Sequence, residues 1–264
     1  MLRELLKEEV KPLLEYLKED VENCIYIYTD IFMYGLDNPN MKVWIEKKDD
    51  QFGLVVMKYH DSFQLYYREG EWDINGVYDL ICEYDIKMVN GKQDMILELQ
   101  KMCGDKYEYS WGTIMRLNSV VNFESPDTPE IATVDDVREI AELLAQDPYY
   151  SDSYTIEELS NQLEERIRTG MGRSCIIRRD GRIIAHCASF TEADGIAVSA
   201  GTIAHKDYRG QKLGLIVENY MNRLMNGLGF KWFGFILEED RVATFEKLGN
   251  IAVTTYGKLV KKDM

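Results

Sequence analysis

The stretch "AHKDYRGQKLG", residues 204–214, joins an apolar strand-like run to an amphipathic helical one. The run before it, "GIAVSAGTIAH", has the length and apolar content of a strand. After it, Leu213, Ile216, Val217, Tyr220, Leu224 and Leu228 recur at helical spacing and share one face. The first turn of a helix leaves amide N–H groups unpaired and carries partial positive charge. Gly210 and Gly214 let a bulky anion approach the backbone, and Arg209 adds a full charge. Together these are the parts of a pyrophosphate cradle. Lys212 stands where such a cradle most naturally carries another glycine. The same parts also build a ligand-free strand-to-helix turn, and the residues alone leave both readings open. Two other phosphate signatures are absent: no GxxxxGK[ST] run exists, and "RGQKLG" does not supply GxGxxG.

The rest of the chain narrows the class. Its 264 residues suit one large domain or two smaller ones, and 45% hydrophobic with 29% charged residues is a globular composition. No apolar run is long enough to span a membrane, and the charged start "MLRELLKEEVKPLLEYLKED" lacks the apolar centre of a signal peptide. A cytoplasmic location is expected. Cys24, Cys82, Cys103, Cys175 and Cys187 form no CxxC pair, and His60, His186 and His205 form no close pair, so no metal site is expected. The net charge of -15 is uneven: residues 1–130 hold 14 Lys and Arg against 26 Asp and Glu (-12), and residues 131–264 hold 17 against 20 (-3). That balance argues against nucleic acid as a partner; the acidic first half fits either a cationic partner or, more simply, solubility.

The chain has two halves of similar order. Residues 2–19 repeat Leu and Val at helical spacing. Strand-like "NCIYIY", "MKVWIEKK", "FGLVVMKYH" and "SFQLYYRE" follow, then a helix near 74–82, the strand "DIKMV", a helix after "NGKQ" and a strand near 107–117. "SVVNFESPDTPE" breaks the pattern, so residues 1–120 are expected to form one lobe, 121–130 a linker and 131–264 a second lobe. In the second, "VDDVREIAELLAQ" and "TIEELSNQLEERIRTG" read as helices, the latter opened by a Thr155-x-x-Glu158 capping box. "RSCIIRRDGRIIAHCASF" reads as a hairpin turning at Asp180-Gly181. The strand "KWFGFIL", a helix over 240–248 and the strand "IAVTTYGKLV" complete the half.

Residues 131–264 resemble the GNAT superfamily of acetyl-CoA-dependent N-acetyltransferases. The resemblance rests on "GTIAHKDYRGQKLG", similar to the family's strand and R/Q-x-x-G-x-G/A turn, on "KWFGFIL", and on "TFEKLGN", which looks like its closing "YEKLGF". It implies an α+β fold with a twisted, mixed, mostly antiparallel sheet flanked by helices, here in two tandem lobes. It also implies acetyl-CoA as cosubstrate, its pyrophosphate held by the backbone of Arg209, Gly210, Gln211, Lys212, Leu213 and Gly214. Ile203 and Ala204 would lie where the strand splays open and offers N–H to the thioester carbonyl. Three residues depart from the pattern. Lys212 replaces the middle glycine, Phe245 stands at the cofactor in place of a tyrosine that protonates the leaving thiolate, and Asn250 replaces a phenylalanine. In the first lobe "DIKMVNGKQDM" occupies the equivalent place without the arginine or second glycine, which reads as a degenerate lobe.

Transfer to an amine needs a neutral nucleophile, a polarised thioester and removal of a proton. Glu192 in "FTEADGI" is the first candidate base, with a solvated turn carboxylate as the alternative, and Asp194 is a weaker version of it. Tyr256 on the last strand is the candidate acid, or else half-buried packing. His205 reads as a surface or phosphate-contacting residue and Cys187 as a core thiol. Tyr149, Tyr150 and Tyr154 in "DPYYSDSY" are candidates to line an amine pocket, with Asp152 as counter-charge. Two functions compete. One is acyl transfer to a primary amine of a small molecule or peptide by direct attack in a ternary complex; the other is non-catalytic acyl-CoA binding or sensing. A homodimer counts among the candidate assemblies.

Overall fold

The computed structural model describes residues 2–121, 125–151, 154–237 and 239–262. In chain order the elements are β1 (Arg3–Glu4), α1 (Val10–Lys18), α2 (Ile25–Tyr34), β2 (Met41–Lys48), β3 (Gln51–Tyr59), β4 (Ser62–Tyr67), α3 (Ile74–Glu83), β5 (Met88–Lys92), α4 (Gln93–Cys103) and β6 (Tyr107–Arg116). They continue with β7 (Glu130–Ile131), α5 (Val137–Leu144), α6 (Pro148–Ser151), α7 (Ile156–Thr169), β8 (Ser174–Arg179), β9 (Arg182–Ala193), β10 (Ile196–Ala204), α8 (Leu213–Gly227), β11 (Lys231–Ile236), α9 (Glu239–Lys247) and β12 (Ile251–Lys261). The fold is α+β, with mostly antiparallel pairing and helices against the sheet, as expected.

The chain divides into two compact units. The first comprises Met1–Ile114, Ile236–Val242 and Ala252–Met264; the second, Met115–Phe235 and Ala243–Ile251. This division differs from the expected one. Residues 125–130 fall inside the second unit, and nearly all of β12 belongs to the first. There β12 pairs antiparallel with β5, Tyr256 opposite Lys92 and Leu259 opposite Val89. The first unit's core gathers Trp44, Val56, Phe63, Val77, Ile96 and Leu259.

Two elements of the first unit depart from the sequence reading. "NCIYIY" is helical, not extended: Ile25, Ile27, Tyr28, Thr29 and Ile31 are all buried in α2. A helix buried on most sides needs no polar stripe, so its I-Y-I-Y alternation imitates a strand. The helix expected over 2–19 begins only at Val10, because Pro12 is tolerated in a first turn but not deeper inside a helix. Upstream of it, Arg3 and Glu4 pair with β2 instead.

In the second unit the strand order is β11–β10–β9–β8–β7. The β8–β9 hairpin turns at Asp180 (φ 52°) and Gly181 (φ 78°), the two left-handed residues of a tight hairpin turn. Thr155 and Glu158 form the expected capping box on α7. Ile203 packs into the apolar cluster of α5 and α7, with Ile140, Leu144, Leu159 and Leu163. Its neighbour Thr202 faces the other way, toward Gly214 of α8. Alternation along β10 therefore places α5 and α7 on one face and α8 on the other.

Candidate functional site

The site is built on β10. This strand runs parallel to β11 from Ile196 opposite Lys231 to Ser199 opposite Gly234, and there the pairing stops. On its other side it stays with β9, through irregularities between Val198 and Ser199 and between Ala200 and Ile203. From Ala200 to Ala204 the β11-facing edge of β10 is therefore open. His205 N–H donates to Ile184 O at 2.8 Å, so by alternation the Ile203 amide also faces β9 and the Ala204 amide faces the open edge. Of the two expected backbone donors, only Ala204 points away from β9. The opening starts earlier than expected, after Ser199.

The irregularity is held by buried polar contacts. Gly201 has φ +67°, and its carbonyl accepts from His186 Nδ1 at 2.8 Å. A carbonyl only accepts, so His186 carries its proton on Nδ1, and Nε2 accepts from Ser174 Oγ at 3.1 Å. The ring is fully buried, and that burial holds its pKa down at about 4. Its folded pKa lies below the unfolded value of about 6.5, so the native state binds fewer protons and stability falls as pH drops from 6.5 toward 4. The expected loss is on the order of 3 kcal/mol across that window. Urea midpoints measured from pH 7 to pH 4 check this, and His186→Gln should remove most of the slope.

The turn that follows has the geometry of a backbone cradle. Gly210 is left-handed (φ +82°), with open space where a side chain would stand. Lys212 takes φ 60°, ψ 16° immediately before α8, the conformation in which glycine is favoured. A side chain there costs about 1–2 kcal/mol. The helix closes its first hydrogen bond from Ile216 N–H to Lys212 O at 3.1 Å, which leaves the amides of Leu213, Gly214 and Leu215 at the open end. Arg209, Gln211 and Lys212 are exposed, Leu213 is buried and Gly214 lies against Thr202. The six residues of the turn thus combine a left-handed Gly210 and Lys212, two exposed cations and the free first-turn amides of α8. His205, by contrast, is buried; Arg182 Nη2 donates to its Nε2 at 2.7 Å, so the ring carries its proton on Nδ1.

The expected acid and base are both engaged with other groups. The Glu192 side chain is only 3% exposed and is ion-paired with Arg173, while Ser189 Oγ donates to its other oxygen at 2.6 Å. The Glu192 amide also bonds Met171 O, so the residue ties the 171–173 segment to β9. Both oxygens are occupied, and the carboxylate is a strut where a free base was expected. Tyr256 is buried within the first unit, where its hydroxyl donates to Asn23 O at 3.1 Å and its ring meets Tyr26 edge-on. Burial pushes its pKa well up. Tyr256 belongs to the first unit and the 209–214 turn to the second. Asp194 occupies the left-handed turn after β9.

Phe245 is buried in α9 and lines, with Leu215, Glu218, Leu248 and Asn250, a cavity of about 20 Å³. Asn250 has a role that sequence reasoning missed: its Oδ1 accepts from Ser119 N–H at 3.0 Å, while Asn219 Oδ1 takes Val121 N–H at 2.7 Å. These amides fasten the segment leaving β6 to α8 and α9. Cys187 is fully buried beside Thr202, and burial lifts its thiol pKa to about 12, in line with a core thiol.

Tyr149 and Tyr150 sit on α6 with ring centroids 5.1 Å apart, but they part ways. Tyr149 is exposed, whereas Tyr150 is half-buried with its hydroxyl beside the Gly201 backbone, and burial raises its pKa. Tyr150 is thereby placed at the irregularity of β10. Tyr154 is exposed, and Asp152 lies outside the described residues. A cavity of about 370 Å³ in the first unit is lined by Trp44, Tyr84, Lys42 and Asp73, but Asp73 already caps its own helix through Gly76 N–H. In "DIKMVNGKQDM", β5 runs into α4 with no turn residues between them, unlike the turn between β10 and α8. Among the described residues no cluster of His, Cys, Asp or Glu is placed to hold a metal, and no helix is long and apolar enough to cross a membrane.

No protein-family model matches the sequence, and no curated protein does. Solved structures do match the fold. A Drosophila protein is 14% identical with a TM-score of 0.70, covering 99% of this chain and 98% of its own. A GNAT-family acetyltransferase from Colwellia psychrerythraea is 14% identical with a TM-score of 0.60, over 99% and 100%. A tandem GNAT protein from the clavulanic acid biosynthesis pathway is 12% identical with a TM-score of 0.59, over 98% and 97%.

Proposed function

We propose that this chain, which has the fold of the GNAT acetyltransferases, is an acyltransferase that moves an acetyl group from acetyl-CoA to a primary amine of a small molecule or peptide. The observation that carries the reading is the parting of β10 from β11 after Ser199, which leads straight into the 209–214 turn. Helix amides, Gly210 and the charges of Arg209 and Lys212 suit a diphosphate there. The Ala204 N–H faces the opened edge, where a donor polarises a thioester carbonyl. The amine nitrogen bonds to the carbonyl carbon, the C–S bond breaks and the electron pair leaves on sulfur. The amine proton passes to water and the thiolate takes a proton from water, because Glu192 and Tyr256 are committed elsewhere and Phe245 has no proton to give. Tyr150, beside Gly201, borders the acceptor side, and the acidic balance of the chain favours cationic amines.

Those same committed groups favour a second reading, acyl-CoA binding without turnover. Calorimetry with CoA, paired with thiol release from acetyl-CoA over a panel of polyamines, aminoglycosides, amino acids and peptides, separates the two. The first reading expects binding that Arg209→Ala weakens, and thiol release with at least one amine. Binding without release across the panel supports the second. Absence of CoA binding overturns both.

A further inference from the structure

Arg179, the last residue of β8, is joined to the anion turn by side chains that the reading above leaves unused. Its Nη1 donates to Gln211 Oε1 at 3.2 Å, and its guanidinium carbon lies 5.2 Å from the centre of the Tyr208 ring. Nη2 and Nε both reach the Asp127 carboxylate, at 2.8 and 3.3 Å. The Asp127 side chain is 11% exposed and that of Arg179 32%. This forked pairing is the geometry in which arginine also takes phosphate.

Position decides which phosphate. On the reading above, the backbone amides of residues 213–215, with Arg209 and Lys212, serve the diphosphate at the helix end. Arg179 reaches that turn only through the whole side chain of Gln211, so it addresses a second anionic group set apart from the first. Free CoA carries such a group: a 3′-phosphate separated from the 5′-diphosphate by the width of a ribose. We propose that Arg179 reads the 3′-phosphate of CoA, and that Asp127 occupies the guanidinium until that phosphate displaces it. The carboxylate oxygens of Asp127 stand in for two phosphate oxygens. The exchange leaves the arginine oriented on Tyr208 throughout, so little side-chain freedom is lost when the ligand arrives.

The inference rests on CoA binding at the turn, and its test separates the two. Calorimetry compares CoA with 3′-dephospho-CoA on the wild-type chain, Arg179→Ala and Asp127→Asn. Charge-assisted bonds to a phosphate predict that the wild type prefers CoA by about tenfold or more. Arg179→Ala should bind the two ligands alike, and Asp127→Asn should tighten CoA several-fold without changing 3′-dephospho-CoA. Adenosine 3′,5′-bisphosphate should bind the wild type and lose affinity in Arg179→Ala. Equal affinities in the wild type, or a preference that survives Arg179→Ala, overturn the proposal while leaving the acyltransferase reading intact. Failure of both ligands to bind the wild type overturns that reading, and the proposal with it.

Discussion

Arg173→Leu is expected to lower the unfolding free energy by about 3 kcal/mol, read from urea midpoints at neutral pH. The Glu192 side chain is 3% exposed and the Arg173 side chain 34%. Removing the cation leaves a carboxylate with almost no access to water and a single remaining donor, Ser189. Breaking a buried pair commonly costs 3–5 kcal/mol, and water around the exposed third of Arg173 places this case at the low end. Glu192→Gln should cost only about 1 kcal/mol, since the amide keeps one oxygen for Ser189 and leaves no buried charge. The pair of variants also tests catalysis. A general base contributes about 10² to 10⁴ in rate, so a catalytic Glu192 would lose that much in Glu192→Gln with little change in stability. A strut gives the opposite pattern: kcat within a few-fold of wild type, and the large effect on the arginine side.

Gly201→Ala should destabilise the chain by about 2–3 kcal/mol and, on the proposed acyltransferase reading, reduce acetyl transfer more than CoA binding. Two causes add. The residue sits at φ +67°, where a side chain is strained, and its Cβ would lie 3.1 Å from His186 Cε1 and 3.3 Å from Leu144 Cδ2. His186 cannot easily move away, because Ser174 and the Gly201 carbonyl hold both ring nitrogens. Gly210→Ala is the control. It has φ +82° but nothing within 4 Å of the added carbon, so it should cost only about 1 kcal/mol. The difference between the two variants isolates the packing around the irregularity from the backbone strain.

Much of the second unit was legible from local signals. The Thr155 capping box, the Asp180-Gly181 hairpin and the β10–turn–α8 unit all lie within short windows whose periodicity and turn chemistry carry their conformation. The left-handed Lys212 was legible as well, as the lysine standing where a glycine was expected. The helix at Ile25–Tyr34 was not, because a helix buried on most sides loses the polar stripe that gives it a period. Leu2–Glu4 misled in the other direction: helical spacing continued upstream of Pro12, but pairing with β2 prevailed there.

By itself, the sequence determined the strand, turn and helix over 196–227, because each of those elements is specified by residues a few positions apart. The tertiary structure alone decided which charged and polar side chains are engaged with one another. Glu192 is neutralised by an arginine 19 residues away, Tyr256 is bound to a carbonyl 233 residues away, and Arg179 finds Asp127 at a separation of 52. Neither hydrophobic period nor propensity encodes those pairings. They follow from burial, which makes a lone charge or hydroxyl so costly that each takes whichever partner the packing brings within reach.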